Sequence, residues 1–243
     1  MLLTLIFSFI VSMGFSQSEK LSIHDNSQGC LDKLLSKNKH LNEFELDTLV
    51  GYIKIGYFLN SENKNAIVIS FDSIASLSIY ELRENNWIKI FTQRNVGFVR
   101  DNDIKAYIED FNFDGLKDVG IKNEVSIGTT IMTFRLWLTS PDKLFVYVPE
   151  FENIGNPKIV NDKRIIQGFT ACCAFSEIMI TDYIWENYKL IKSSSLNIDR
   201  YTSIHAVETT YKNDGKKLEK EIRLSNKKID KLIDKYDGNW KLE

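Results

Sequence analysis

The chain has 243 residues, 31 Lys plus Arg against 33 Asp plus Glu, and a formal net charge of −2. That balance argues against nucleic acid as a partner, and a 43% hydrophobic content supplies enough apolar surface for a sizeable core. With only three prolines and a strand-rich pattern, no segment reads as a linker between domains.

Residues Met1 to Ser16 carry no charged side chain, end in Gly14-Phe15-Ser16, and are followed by the polar Gln17-Ser18-Glu19-Lys20. This is the pattern of a secretory signal peptide over 1–16, because the apolar run is shorter than the roughly 20 residues that span a bilayer. Its positive n-region is the α-amino group alone, and a buried first strand is the alternative. No cysteine stands at the cut to take a lipid, and no later segment is apolar enough to cross a membrane. The expectation is an exported protein, periplasmic or extracellular, with no membrane span after cleavage.

Residues 17–49 read as an N-terminal helical segment, with the helix over Cys30–Leu49 and Leu31, Leu34 and Leu35 at helical spacing. From 50 to 243 the pattern is that of a single all-β domain. Strands are predicted at 50–59, 66–71, 75–82, 87–93, 104–110, 117–122, 130–139, 143–149, 164–173, 176–185, 188–193, 201–212 and 216–225. Most alternate, as Phe134, Leu136 and Leu138 do against Arg135 and Trp137, which predicts one buried and one wet face.

Short polar turns at Glu84-Asn85-Asn86, Ser140-Pro141-Asp142, Glu186-Asn187 and Asn213-Asp214-Gly215 join these strands as antiparallel hairpins. Hairpins at Leu77–Phe91, Phe134–Val148 and Ile180–Ile191 recur about every fifty residues, the spacing of four-stranded blades. The fold class expected is therefore all-β and β-propeller-like, with a β-sandwich as the alternative. Lysines interspersed with acids from Lys212 to Lys235 predict a solvated hairpin and a last helix or strand; a basic face for an acidic partner is the alternative.

The sharpest local pattern is Asp110-Phe-Asn112-Phe-Asp114-Gly115-Leu116-Lys-Asp118. Calcium takes six to eight oxygen ligands, and loop positions 1, 3 and 5 supply them here as Asp110, Asn112 and Asp114. Gly115 sits at the sharp turn, Leu116 offers its main-chain carbonyl at position 7, and Asp118 at position 9 binds directly or through water. Position 12 is Ile121, so the bidentate Glu of an EF-hand is missing. The plain alternative is a polar β-turn, since Asp, Asn and Gly are ordinary turn residues. Three carboxylates in nine residues repel one another unless neutralised, and the interleaved phenylalanines pull the loop against a core. Both features favour a Ca²⁺ site that holds structure.

The cysteine count is odd: Cys30, Cys172 and Cys173. In an oxidising compartment Cys30 pairs with Cys172 or Cys173; otherwise all three are small buried hydrophobes. No spacing resembles a zinc site. His24, His40 and His205 are scattered, and no Gly-x-Ser-x-Gly, His-Glu-x-x-His, Walker or dinucleotide pattern occurs. Glu150 and Glu152 beside Phe151 are the nearest thing to paired acids, but alternate positions on a strand edge face solvent. The chain is expected not to be an enzyme.

The loop, the strand ending Trp137-Leu138, Lys143-Leu144-Phe145-Val146-Tyr147, Pro157-Lys158-Ile159 and the hairpin Asp182-Tyr-Ile-Trp185-Glu-Asn-Tyr-Lys-Leu190 stand in a familiar order. Over about residues 65 to 200 the chain resembles a group of exported bacterial β-rich proteins with an Asp-Phe-Asn-Phe-Asp-Gly-x-x-Asp loop. Some members are calcium-binding periplasmic inhibitors, or immunity proteins, of lysozyme-like peptidoglycan hydrolases associated with type IV secretion. The resemblance implies Ca²⁺ at Asp110, Asn112, Asp114, the Leu116 carbonyl and Asp118. It also implies an envelope partner, a peptidoglycan hydrolase. The loop occurs too in integrin-like repeats of adhesins, so a carbohydrate- or surface-binding module is the alternative function.

Overall fold

The computed structural model describes residues 27–48, 50–59, 62–71, 75–94, 96, 105–126, 131–142, 144–172, 175–200, 205–212 and 216–236. The expected signal peptide over 1–16 lies outside the described residues. Among those described, no helix is long and apolar enough to cross a membrane.

Helix α1 (Ser27–Lys37) is followed by β1 (Phe44–Thr48), β2 (Gly51–Gly56), β3 (Asn65–Phe71), β4 (Ala75–Arg83) and β5 (Asn86–Arg94). These five strands form the first sheet in the order of the chain, every neighbour antiparallel. The middle sheet is β6 (Ala106–Glu109), β7 (Asp118–Ser126), β8 (Ile131–Thr139) and β9 (Phe145–Tyr147). A short 3₁₀ turn, Pro149–Asn153, leads to the last sheet. That sheet comprises β10 (Lys158–Val160), β11 (Ile165–Cys172), β12 (Glu177–Glu186), β13 (Lys189–Asp199), β14 (His205–Tyr211) and β15 (Lys217–Arg223). Helix α2 (Asn226–Tyr236) ends the described chain.

The layers stack in chain order. Leu31 and Leu35 of α1 cover Ile53, Ile55, Ala66 and Val68 on one face of the first sheet. The opposite face, with Tyr52, Ile67, Ile69, Leu77 and Ile79, packs on Val119, Ile121 and Trp137 of the middle sheet. The other side of the middle sheet, Phe134, Leu136 and Leu138, meets Ile166, Tyr183, Trp185 and Leu190 of the last. Ile178, Ile180, Ile198 and Ala206 on the far side of the last sheet are closed over by Ile229, Leu232 and Ile233 of α2. Each fully buried aliphatic or aromatic side chain in these layers contributes roughly 1.5–3 kcal/mol of transfer free energy.

The all-β class, the antiparallel hairpins and the N-terminal helix are all present. The ring is not: three meander sheets form an open stack of the sandwich kind, closed at its ends by helices, with no closed barrel or propeller among the described residues. The fifty-residue spacing has a simple origin. The three hairpins β4–β5, β8–β9 and β12–β13 fall one to a sheet.

Stacking also changes the expected one-sided burial. Asn65 to Ser70 of β3 are buried throughout, because an internal layer has no wet face. The tight turns behave as expected: Arg83 pairs with Asn86 and Glu186 with Lys189. The residues between them, Glu84, Asn85, Asn187 and Tyr188, all take positive φ, as two-residue hairpin loops require.

Other expectations need correction. The helix over Cys30–Leu49 ends at Lys37, and Phe44–Thr48 is edge strand β1, whose alternating exposure fits period two. Lys64 fixes the exit from the helix by donating from Nζ to the main-chain oxygens of Lys39 and Leu41, at 3.1 and 2.8 Å. Strand β10, three residues long, carries too short an apolar pattern to be read. Neither Cys30 nor Cys172 is in a disulfide, so the bridge between them is not formed. One lies on the helix outside the first sheet and the other in the last sheet, with the middle sheet between them. Cys173 lies outside the described residues.

Candidate metal centre

The acidic loop is the connection of the β6–β7 hairpin, whose last pair is Glu109 with Asp118. Its phenylalanine at position 2 determines how the loop lies. Phe111 is fully buried and packs edge to face on Phe151, 5.6 Å between centroids. Gly120 leaves room for it, since a Cβ there would lie 2.9 Å from the Phe111 ring. With Phe111 turned inward, the alternate positions 110, 112 and 114 are left for polar work.

Those positions are drawn together by main-chain amides. Asp110 accepts from the amides of Asp114 at 3.0 Å and Gly115 at 2.9 Å, one on each carboxylate oxygen. Asn112 Oδ1 accepts from the Asp114 amide at 3.2 Å, and Asp114 Oδ1 from the Leu116 amide at 2.8 Å. Asn112 Nδ2 donates to Asp114 Oδ2 at 2.8 Å. Such tight winding needs left-handed backbone, which Phe113 (φ 62°) and Gly115 (φ 91°) supply. A Cβ at Gly115 would meet nothing, so the glycine is there for its backbone and not for space.

Asp118 plays a different part. It is fully buried, its Oδ2 accepts from the Phe111 amide at 2.8 Å, and its Oδ1 accepts from the Thr139 amide at 2.8 Å. It thereby ties the loop and β7 to the end of β8, helped by Thr139 Oγ1 donating to the Lys117 oxygen at 2.6 Å. Burial pushes the Asp118 carboxyl up to about 7; the two amides pull against this, and the charges of Asp114 and Asp110 push it further up. The one lysine in the loop, Lys117, pairs with Glu109 at 3.4 Å.

The donor set fits a hard cation in its chemistry: all oxygen, anionic, and spaced at positions 1, 3, 5, 7 and 9. Among the described residues no group of three or more His, Cys, Asp or Glu side chains is arranged to hold a metal ion. The three loop carboxylates accordingly do not converge as one group: Asp110 and Asp114 lie with the Asn112 side chain, while both oxygens of Asp118 are taken by main-chain amides.

Two contacts from the last sheet reach this loop. Trp185 Nε1 donates to the main-chain oxygen of Phe111 at 2.7 Å. An Arg164 guanidinium N–H donates to the main-chain oxygen of Phe113 at 2.7 Å, with the guanidinium carbon 5.8 Å from the Phe113 ring centroid. No local pattern announces either residue, because the contacts span 74 and 51 positions.

The remaining candidates do not gather into a site. His40 is exposed in the turn after α1, and the side chains of His24 and His205 lie outside the described residues. Glu150 and Glu152 stand on the 3₁₀ turn, not on a strand, and Glu152 pairs with Arg135 at 3.3 Å.

No family model matches the chain, and no curated protein is significantly similar to it. Among solved structures it is similar to one described as "Structure of a Xanthomonas Type IV Secretion System related protein". The identity is 11% and the TM-score 0.46, over 76% of this chain and 93% of that one.

Proposed function

We propose that this chain is an exported, non-catalytic binding protein whose β-stack is stapled by Ca²⁺ at the Asp110–Asp118 loop. The observation that carries the reading is the accumulation of negative charge on one tightly wound loop, whose positions 1, 3 and 5 are tied to one another by hydrogen bonds. Asp110 and Asp114 are held by amides; the carboxyl of Asp118 is pushed up chiefly by burial, with a smaller push from their charges. Asp110, Asn112, Asp114 and the Leu116 carbonyl would hold the ion; Asp118, with both oxygens on main-chain amides, would complete the set only by giving up one of these bonds or through a water. The ion supplies neutralisation of these carboxylates. The chain's own residues do the rest: Phe111 anchors the loop in the core, and Asp118 fastens it to β8. Affinities on the order of 10⁻⁴ to 10⁻³ M suffice for extracellular modules, so a sparse ligand set is adequate outside the cytosol.

The partner we propose is an envelope protein, a peptidoglycan hydrolase that this chain inhibits. Support for that comes from the order of loop, strands and Trp185 hairpin over residues 65 to 200. The experiment is cell-wall clearing by a panel of lysozyme-type hydrolases, with and without the mature protein, in calcium and in chelator. Inhibition with a stoichiometric complex supports the reading; clearing that proceeds unchanged across the panel, with no complex formed, rejects the inhibitor role.

A further inference from the structure

Every proposed ligand belongs to the hairpin of the middle sheet, yet two of the main-chain carbonyls that shape the loop are held from the last sheet. The Phe111 peptide is pinned on both sides: its N–H goes to Asp118 of β7 and its C=O receives the Trp185 indole. Two residues on, the Phe113 C=O receives Arg164, which sits at the turn between β10 and β11. Loop positions 2 and 4 are therefore anchored across the sheet boundary. Positions 1, 3 and 5 are held to one another by hydrogen bonds within the loop.

Building on the calcium reading above, we infer that Trp185 and Arg164 are positioning residues for the cation: they hold the curvature that the ligands need. Cation binding and docking of the last sheet on the middle one are then a single linked equilibrium. Outer-shell hydrogen bonds of this kind commonly set metal affinity by about 10- to 100-fold. Linkage makes the effect reciprocal, so the ion tightens the Phe111–Trp185 boundary by the same factor by which that boundary tightens the ion. The β12–β13 hairpin, which carries Trp185 and ends in the exposed Tyr188, is thereby placed by an ion it does not touch.

The test is a Ca²⁺ titration of the full chain followed by the tryptophan indole N–H resonances, with W185F assigning its own peak. Trp137, whose indole donates to Gln93 at the other boundary, is the internal standard for an intact fold. The expected result is a saturable shift of the Trp185 resonance while that of Trp137 stays still, and an affinity about tenfold weaker in W185F and in R164Q. Arg164 makes its contact on the surface, so R164Q gives a readout even if W185F packs poorly. If the wild type binds Ca²⁺ and both variants bind within twofold of it, the inference is overturned and the calcium reading stands. If the wild type shows no saturable shift or binding, both fall.

Discussion

Trp185 Nε1 lies 2.7 Å from the main-chain oxygen of Phe111, joining the last sheet to the loop of the middle one. The other two described tryptophans do the same elsewhere in the stack. Trp137 donates to Gln93 Oε1 across the first boundary between sheets at 2.7 Å, and Trp87 donates to the Leu35 oxygen of α1 at 3.2 Å. One indole thus crosses each boundary from α1 to the last sheet. Each buries a large apolar ring and satisfies its single donor on the neighbouring layer.

Trp137→Phe removes one ring of a fully buried indole and takes away the donor to part-buried Gln93 Oε1 at the boundary between the first two sheets. The expected loss exceeds the about 0.5–1.5 kcal/mol net worth of one hydrogen bond, because the smaller ring also leaves a cavity. Urea unfolding measures it, and the loss should be equal in calcium and in chelator, because this boundary is remote from the loop.

Asp114→Ala removes a proposed ligand and an acceptor for the Leu116 amide. In the wild type, Ca²⁺ at about 100 times its dissociation constant stabilises by roughly 2.7 kcal/mol through mass action. The variant should melt at one temperature with or without calcium. A calcium-induced rise in Tm equal to that of the wild type would refute the ligand assignment.

Asp118 makes metal-free stability depend on pH. Its carboxyl is pushed up to about 7 in the fold, against an ordinary value of 3.8, so between those limits the folded chain holds the proton more often than the unfolded one. Stability from this group is full below about 4 and falls as pH rises towards and through 7. In chelator, Tm should drop between pH 5 and pH 8. Calcium should flatten that drop, since the ion favours the carboxylate. Asp118→Asn should abolish the slope while lowering stability at all pH values, because an amide cannot accept from both Phe111 and Thr139 on two oxygens.

Gly120→Ala tests the seat of the loop's anchor. The added methyl would lie 2.9 Å from the Phe111 ring, which is closed in by Phe151. Overpacking of this sort costs about 1–3 kcal/mol. The variant should also show weakened calcium stabilisation in the same melting assay, since Phe111 cannot shift without moving Asp110 and Asn112.

Cys30→Ser should leave unfolding in oxidising buffer unchanged, because Cys30 is a free thiol on α1. A loss of about 2–4 kcal/mol, the usual worth of a native disulfide, would instead show it bridged. Maleimide labelling of the folded protein gives the same answer chemically.

Much of the local structure was legible in the chain. Strands such as Ala75–Arg83 and Ile131–Thr139 declare themselves by β-branched and aromatic residues between polar turns. Glu84-Asn85-Asn86 and Glu186-Asn187 mark hairpins because asparagine accepts left-handed backbone, as Asn85 and Asn187 do. The tight acidic loop from Asp110 to Asp118 was legible for the same reason: its polar spacing is encoded within nine consecutive residues.

The tertiary structure decided what lies beyond the reach of neighbours in sequence. Periodicity says which residues share a face of a strand, but not whether another layer covers the opposite one. It therefore could not show that β3 is buried on both sides, or that the stack stays open between α1 and α2 instead of closing into a ring. Phe44–Thr48 looked like the tail of a helix until β2 was there to pair with it. Trp185 and Arg164 met the loop only once the last sheet had docked, across 74 and 51 positions, since hydrogen bonds over such separations depend on packing and leave no periodic trace.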